Sequence, residues 1–287
     1  SVARPRKTVE DAPKDDVAEE KEVAESAAEA GGTVARYITV TNPAGETVFS
    51  RIRNALVELQ HQADQEDRDT ILILEIERGS STFGQVSDLA KELTSAKYSR
   101  VRTIAWIPKD ESDKPLTGYT AIIPLACREI VMHPDAEIGD VGRGSALDDD
   151  EQLAIINLVE KRYNTKVNGA LAAGFVEPSR TVLKIKVISG EGANRVAETR
   201  VVTSEEMQRL QETDVAIPDV ITIKEKGDVL LLSGKRARQL DVLVMQTAED
   251  RVDLADLYEF DRRYLRESIA SGRSEERRVG KECRIGC

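Results

Sequence analysis

Two short runs, Thr70–Ile76 (Thr-Ile-Leu-Ile-Leu-Glu-Ile) and Val101–Ile107 (Val-Arg-Thr-Ile-Ala-Trp-Ile), constrain this chain more than anything else in it. A strand with one wet face alternates apolar and polar residues. These runs scarcely alternate, so both of their faces must be covered, as in a parallel sheet. Between them Phe83, Val86, Leu89, Ala90 and Leu93 recur at helical spacing. Buried strand, amphipathic helix, buried strand is a βαβ unit, and helices on the sheet supply the cover that the runs require.

The rhythm extends in both directions. Arg36–Thr41 is β-rich, and Val48, Ile52, Ala55, Leu56, Leu59 and Ala63 mark a helix with Thr47 as its N-cap. Gly118–Cys127 is apolar on every side and reads as a buried helix, in which Pro124 removes a hydrogen bond and adds a kink. A strand at Arg128–Met132, a glycine loop at Ile138–Gly142 and a helix at Glu151–Tyr163 follow. Then the pattern changes. Arg180–Ile188, Val196–Thr203 and Val220–Lys224 read as strands with alternating polar faces, with a short helix at Ser204–Glu212 capped by Ser204. This is a β-rich insertion near 180–225. The earlier rhythm returns with a strand at Val229–Ser233, a helix at Gly234–Leu240 and a strand near Val242–Leu243. The expected class is α/β, with βαβ units and a mostly parallel sheet.

The ends read differently. Residues 1–32 carry nine acids against five bases and almost nothing large and apolar, so a disordered acidic linker is expected. From Arg273 the string Arg-Ser-Glu-Glu-Arg-Arg-Val-Gly-Lys-Glu-Cys-Arg lacks any hydrophobic period and resembles a translated sequencing adapter. Residues 273–287 are therefore expected to be non-native, leaving 33–272 as the domain. The chain begins at Ser1 without Met and is read as a fragment. Cys127, Cys283 and Cys287 form neither a disulfide framework nor a metal-ligand spacing. A net charge of −11 argues against a nucleic-acid partner. No run reaches the roughly 20 apolar residues of a membrane span.

In an open α/β sheet, chemistry collects beyond the C-terminal strand ends. Three segments belong there. Glu77–Gly84 could offer backbone N–H groups to an oxyanion, although helix capping by Ser81 or Thr82 explains the same residue types. Lys114–Thr120 leads into the buried helix, a natural place for a nucleophile. The glycine loop at 138–144 permits close approach of a substrate backbone. The acidic run Asp148–Glu151 is explained by the helix dipole without a cation.

The order of these segments, the wording Cys127–Gly139 (Cys-Arg-Glu-Ile-Val-Met-His-Pro-Asp-Ala-Glu-Ile-Gly) and the late Leu231–Leu243 element resemble the ClpP/crotonase superfamily. Within it the chain is most similar to the NfeD family of membrane-associated serine peptidases, relatives of signal peptide peptidase A. The resemblance implies a serine nucleophile, counted back from Met132-His133-Pro134 onto Gly118, which has no side chain to attack with. It implies a Pro-Gly-Gly oxyanion turn, which here is Gly79, Ser80 and Ser81. It implies a Lys near the start of the helix after the glycine loop. Ser145–Ala154 holds none, and Lys161 lies mid-helix. A ClpP-type His would fall near Val141, while the histidines present are His61 and His133.

With nucleophile, base and glycine turn all replaced, the resemblance implies a homologue without catalysis, kept for assembly or binding. The alternative is an active peptidase whose nucleophile has moved to Thr117, Thr120 or Ser80, with Lys114, Lys161 or Asp140 as base. A crotonase-type acyl-CoA chemistry, with Asp140 or Glu137 as base, is the weakest reading. The resemblance also implies a homo-oligomer, membrane attachment through segments outside this chain, and membrane proteins or a peptide as partner. It implies no cofactor and no metal.

Overall fold

The computed structural model describes residues 32–160, 164–190, 195–213 and 215–265. The acidic linker up to residue 31, the 273–287 tail with its two cysteines, and Lys161 lie outside the described residues.

Five strands form the central sheet: β1 (Val34–Val40), β2 (Thr70–Ile76), β3 (Val101–Ile107), β4 (Glu129–Met132) and a short last strand, β10 (Gln246–Thr247). They lie in chain order and every pairing is parallel. All seven residues of β2 are buried, as its unbroken apolar run requires. Helices α1 (Glu46–Glu66) and α2 (Phe83–Leu93) cover one face, their apolar stripes joining Leu72, Leu74 and Ile76 in the main core. The other face, with Tyr37, Ile73, Ile104 and Trp106, is covered by α8 (Arg251–Leu257) and the residues after it.

Two Arg–Glu–Tyr clusters hold α8 and its trailing segment on that face. Tyr37 Oη donates to the Glu75 carboxylate, which also takes Arg251 at 2.7 Å. Tyr258 Oη donates to Glu129 at 2.9 Å, and Arg102 pairs with the same carboxylate. Burial drives both phenol pKa values far up, so both remain protonated donors.

The chain also forms α3 (Ile122–Ala126), the short strand β5 (Glu137–Gly139), which lies outside the parallel sheet, α4 (Asp149–Glu160) and α5 (Gly169–Val176). The insertion is an antiparallel sheet of β6 (Val182–Ser189), β7 (Val196–Thr203) and β8 (Ala216–Lys224), with α6 (Ser204–Gln211) packed on it. β9 (Leu231–Ser233) pairs antiparallel with β5, and α7 (Gly234–Leu240) follows. The expected α/β architecture, mostly parallel with a β-rich insertion, is therefore present.

Several local expectations are corrected. Gly45, not Thr47, precedes α1, and no side chain caps it. Thr203, not Ser204, caps α6, in a reciprocal pair with Glu206. The buried segment at 118–127 begins with a 3-10 turn at Tyr119–Ala121, so Pro124 falls in the first turn of α3, where its missing N–H leaves no bond unmade. Val242–Leu243 is not a strand. Leu243 has φ +63° and its N–H donates to Lys166 O, so these residues are apolar because a buried turn holds them. α5, buried from Ala170 to Val176, has no amphipathic stripe by which the sequence would reveal it.

Candidate functional site

The three segments singled out by sequence meet at one place. The loop after β2, the turn before α3 and the glycine loop after β5 surround a cleft of about 450 Å³, lined by Ser80, Phe83, Gly118, Tyr119, Arg143 and Glu151 among others.

Gly118 lies at its floor, buried, with φ +74° and ψ −168°. That backbone region is almost reserved for glycine. Its N–H donates to Asp140 O at 3.1 Å, which ties the turn to the glycine loop. A Cβ built here would stand 2.7 Å from Arg143 Nε and 3.0 Å from its terminal nitrogen. The space into which a nucleophilic side chain would project is therefore filled by a guanidinium. Arg143 reaches this position because it has φ +51°, its N–H bonded to Asp140 O, and it donates to the Gly79 carbonyl at 3.4 Å.

The Gly79-Ser80-Ser81 turn is held by a residue that the sequence did not mark. Asn42, just beyond β1, donates to the Glu77 carbonyl through its amide nitrogen. Its amide oxygen accepts from Ser81 Oγ at 2.9 Å and from Thr120 Oγ1 at 3.1 Å. Ser81 Oγ also accepts the Ala44 N–H at 3.0 Å. Gly79 packs so closely that a Cβ on it would lie 2.1 Å from Asn42 Cβ. This glycine is thus required by contact. Ser81 is buried and committed to the turn, and Thr82 caps α2 together with Gln85. Ser80 and Thr82 are both exposed in the cleft lining, the Thr82 hydroxyl being bonded to Gln85.

Apart from Lys161, which lies outside the described residues, the relocated nucleophiles and bases have definite places. Thr120 is 0% exposed and its hydroxyl bridges Asn42 and the Gly79 carbonyl, so no substrate can reach it. Thr117 is half-buried and does not line the cleft. The Asp140 carboxylate accepts the Gly144 N–H at 2.7 Å, fixing the glycine loop instead of serving as a base. Lys114 is exposed, its carbonyl taking Arg78 Nε. Glu137 is exposed on β5 opposite Ser233. Val141 is buried, with its N–H on Phe175 O. His133 Nδ1 accepts the Asp135 N–H within its own turn, and His61 is exposed on α1.

What the cleft does present is a donor and an acceptor of opposite charge. Arg143 stands over the floor. On the other wall, Tyr119 Oη donates to Glu151 at 2.9 Å, and the Tyr119 ring packs on Phe83 with centroids 5.5 Å apart. Burial first, and then the Glu151 carboxylate, raise the Tyr119 phenol above its ordinary range, so it stays a donor. Glu151 sits in the first turn of α4, beside Asp149 and Asp150. Of the aliphatic hydroxyls lining the cleft, Ser81 donates to Asn42 and Thr82 to Gln85, neither to a Lys, His or carboxylate that could take a proton. Past Phe83 the surface continues into an apolar groove of about 310 Å³ between α2, α3 and α4, lined by Ala90, Ile122, Ile155 and Leu158. Among the described residues no group of His, Cys, Asp and Glu could hold a metal ion, and no helix is long and apolar enough to cross a membrane. Asp148 of the acidic run instead accepts the Glu151 N–H at 2.8 Å at the start of α4.

No family model and no curated protein matches the chain. Solved structures with a similar chain path include three of different description. The membrane protease 1510-N, specific for a stomatin homologue, from Pyrococcus horikoshii is 12% identical, with 78% of this chain and 76% of that one covered and a TM-score of 0.40. A probable enoyl-CoA hydratase/isomerase from Mycobacterium abscessus is 12% identical, with coverage of 80% and 72% and a TM-score of 0.38. The ClpP protease catalytic domain from Plasmodium falciparum is 9% identical, with coverage of 86% and 97% and a TM-score of 0.34.

Proposed function

We propose that this chain is a ClpP/NfeD-like serine-peptidase homologue that has lost hydrolysis and uses the old cleft to bind. One observation carries the reading. At the position where the family resemblance calls for a nucleophile there is a glycine, in a backbone conformation that suits glycine and with a guanidinium over its Cα. Losing a nucleophile or its base alone costs many powers of ten in rate. The surviving groups suit a peptide held in place. Arg143 can donate to a main-chain carbonyl, Glu151 can accept a main-chain N–H, and the apolar groove past Phe83 can take a side chain. Self-association belongs to the same proposal, and the exposed Val220 and Ile221 of β8 are where it would be sought. Membrane attachment through segments outside this chain completes it.

The test is labelling by a fluorophosphonate probe. The natural chain is expected to stay unlabelled, as is Ser80→Ala. Because Arg143 fills the space above Gly118, Gly118→Ser alone is a poor test of whether the pocket survives, and the informative variant is Gly118→Ser with Arg143→Ala. Labelling of the natural chain, abolished by Ser80→Ala, would overturn the proposal and restore an active peptidase with a moved nucleophile.

A further inference from the structure

Arg143 brings to the cleft a charge that nothing in the cleft answers. It is exposed, it lines the cleft, and among the described residues it forms no ion pair. The one hydrogen bond of its guanidinium is the long one to the Gly79 carbonyl, at 3.4 Å. Arginines elsewhere in the chain take carboxylates: Arg36 pairs with Glu58, Arg180 with Glu177 and Arg262 with Asp256. A guanidinium carries five donors, so a single long bond leaves most of them unused. The acids that flank Arg143 on the chain are committed to the backbone: Asp140 accepts the Gly144 N–H and Asp148 the Glu151 N–H. Glu151, the carboxylate in the cleft lining, accepts Tyr119 Oη with both oxygens, at 2.9 and 3.2 Å.

The surroundings indicate what would accept from it. The guanidinium lies above Gly118, where a Cβ would come within 2.7 Å of Nε, so the bare Cα is what lets a flat cation rest on the cleft floor. The exposed Ser80 hydroxyl lines the same cleft and adds a neutral donor. A main-chain carbonyl offers a guanidinium one uncharged acceptor. A carboxylate offers two oxygens at the spacing of its fork, with the opposite charge. Phe83 borders both this cleft and the apolar groove beyond it. The last residue of a chain carries its carboxylate and its side chain on one Cα, which suits two sites that share a wall.

We propose, resting on the reading of this cleft as a peptide site, that it takes the C-terminal end of a peptide. The free α-carboxylate forks onto Arg143, and an apolar last side chain enters the groove between Ala90, Ile122, Ile155 and Leu158.

The experiment titrates the ¹⁵N-labelled full chain with N-acetylated Ala-Ala-Ala-Leu, as the free acid and as the C-terminal amide, read at the Arg143 Nε–H and at the backbone amides of Ser80 and Gly142. The acid should bind about tenfold more tightly, and the preference should shrink as salt is raised. With a net charge of −11 the chain as a whole disfavours the acid, so a preference for it reports the local cation. Arg143→Gln, a change at an exposed residue, should keep the unfolding midpoint and bring acid and amide to the same affinity. An amidated peptide with an internal Asp, Ala-Asp-Ala-Leu, should bind no better than the plain amide; tight binding of it would assign the cation to side-chain carboxylates and overturn the proposal. Equal binding of acid and amide, or a preference that survives in Arg143→Gln, would overturn it and leave the peptide reading standing. Binding of none of these peptides would overturn both.

Discussion

Replacing Gly118 by alanine tests the central geometric claim without any assay of activity. Two costs add. With φ +74° and ψ −168°, residue 118 lies where an L residue is strained by about 1–3 kcal/mol. The new Cβ would also meet Arg143 Nε at 2.7 Å. That contact is with the end of a flexible side chain, so Arg143 can swing away at the cost of its bond to Gly79 O and a poorer rotamer, about 0.5–1.5 kcal/mol. The sum is about 1.5–4.5 kcal/mol. Urea denaturation of the natural chain, Gly118→Ala, Arg143→Ala and the double variant measures both parts. Arg143→Ala should relieve only the contact, leaving the double variant about 1–3 kcal/mol below Arg143→Ala. A Gly118→Ala protein within about 0.5 kcal/mol of the natural chain, the range of an unremarkable surface change, would refute the reasoning.

Three further outcomes follow from contacts already described. Asn42→Ala should destabilise by about 1–3 kcal/mol in the same denaturation assay, since it leaves the buried Thr120 hydroxyl with the long 3.4 Å bond to the Gly79 carbonyl and unties the Gly79–Ser81 turn. Arg251→Ala should cost about 2–3 kcal/mol by thermal unfolding, below the usual cost of breaking a buried pair because Arg251 is itself 37% exposed. Asp241 sits at the left-handed residue after α7 and pairs with Lys166 at 2.5 Å, which lowers its pKa. A lowered carboxylate stabilises the fold above its unfolded pKa of about 3.9, and that contribution disappears as pH falls through the folded value. Asn tolerates the same backbone, so Asp241→Asn should be less stable than the natural chain at pH 7 by no more than about 1 kcal/mol, the two converging in acid; a gap that persists there would sink the assignment.

The sheet was legible because burial on both faces leaves a sequence signature: Thr70–Ile76 and Val101–Ile107 were read with their true bounds. The three loops of the cleft were legible for the related reason that strand ends of a parallel sheet place them together. What escaped had no periodic signal. α5 is buried on every side and so carries no stripe, and the seven residues of α8 are too few for one to stand out. Asn42 escaped for a different reason. Its partners Ser81 and Thr120 are 39 and 78 residues away, and a single Asn before Pro reads as an ordinary turn. Arg143 could have been suspected only from its place between glycines, since its contact with Gly118 depends on a left-handed residue that sequence does not announce.

The insertion is less detachable than its position on the chain suggests. Lys224, at the end of β8, is buried, and its ammonium is ringed by the carbonyls of Glu177, Pro178, Arg180 and Glu225. The first of these carbonyls lies just after α5, whose Phe175 and Val176 carbonyls receive the N–H groups of Val141 and Leu147, on the loop that walls the cleft. Excising 182–224 to obtain a minimal domain would therefore withdraw the cation that gathers these chain ends, and loosen the lip of the cleft from behind. A trimmed version that expressed well would still be the wrong protein for studying what the cleft binds. The sound boundaries for engineering lie outside β1 and beyond α8, with the excursion kept.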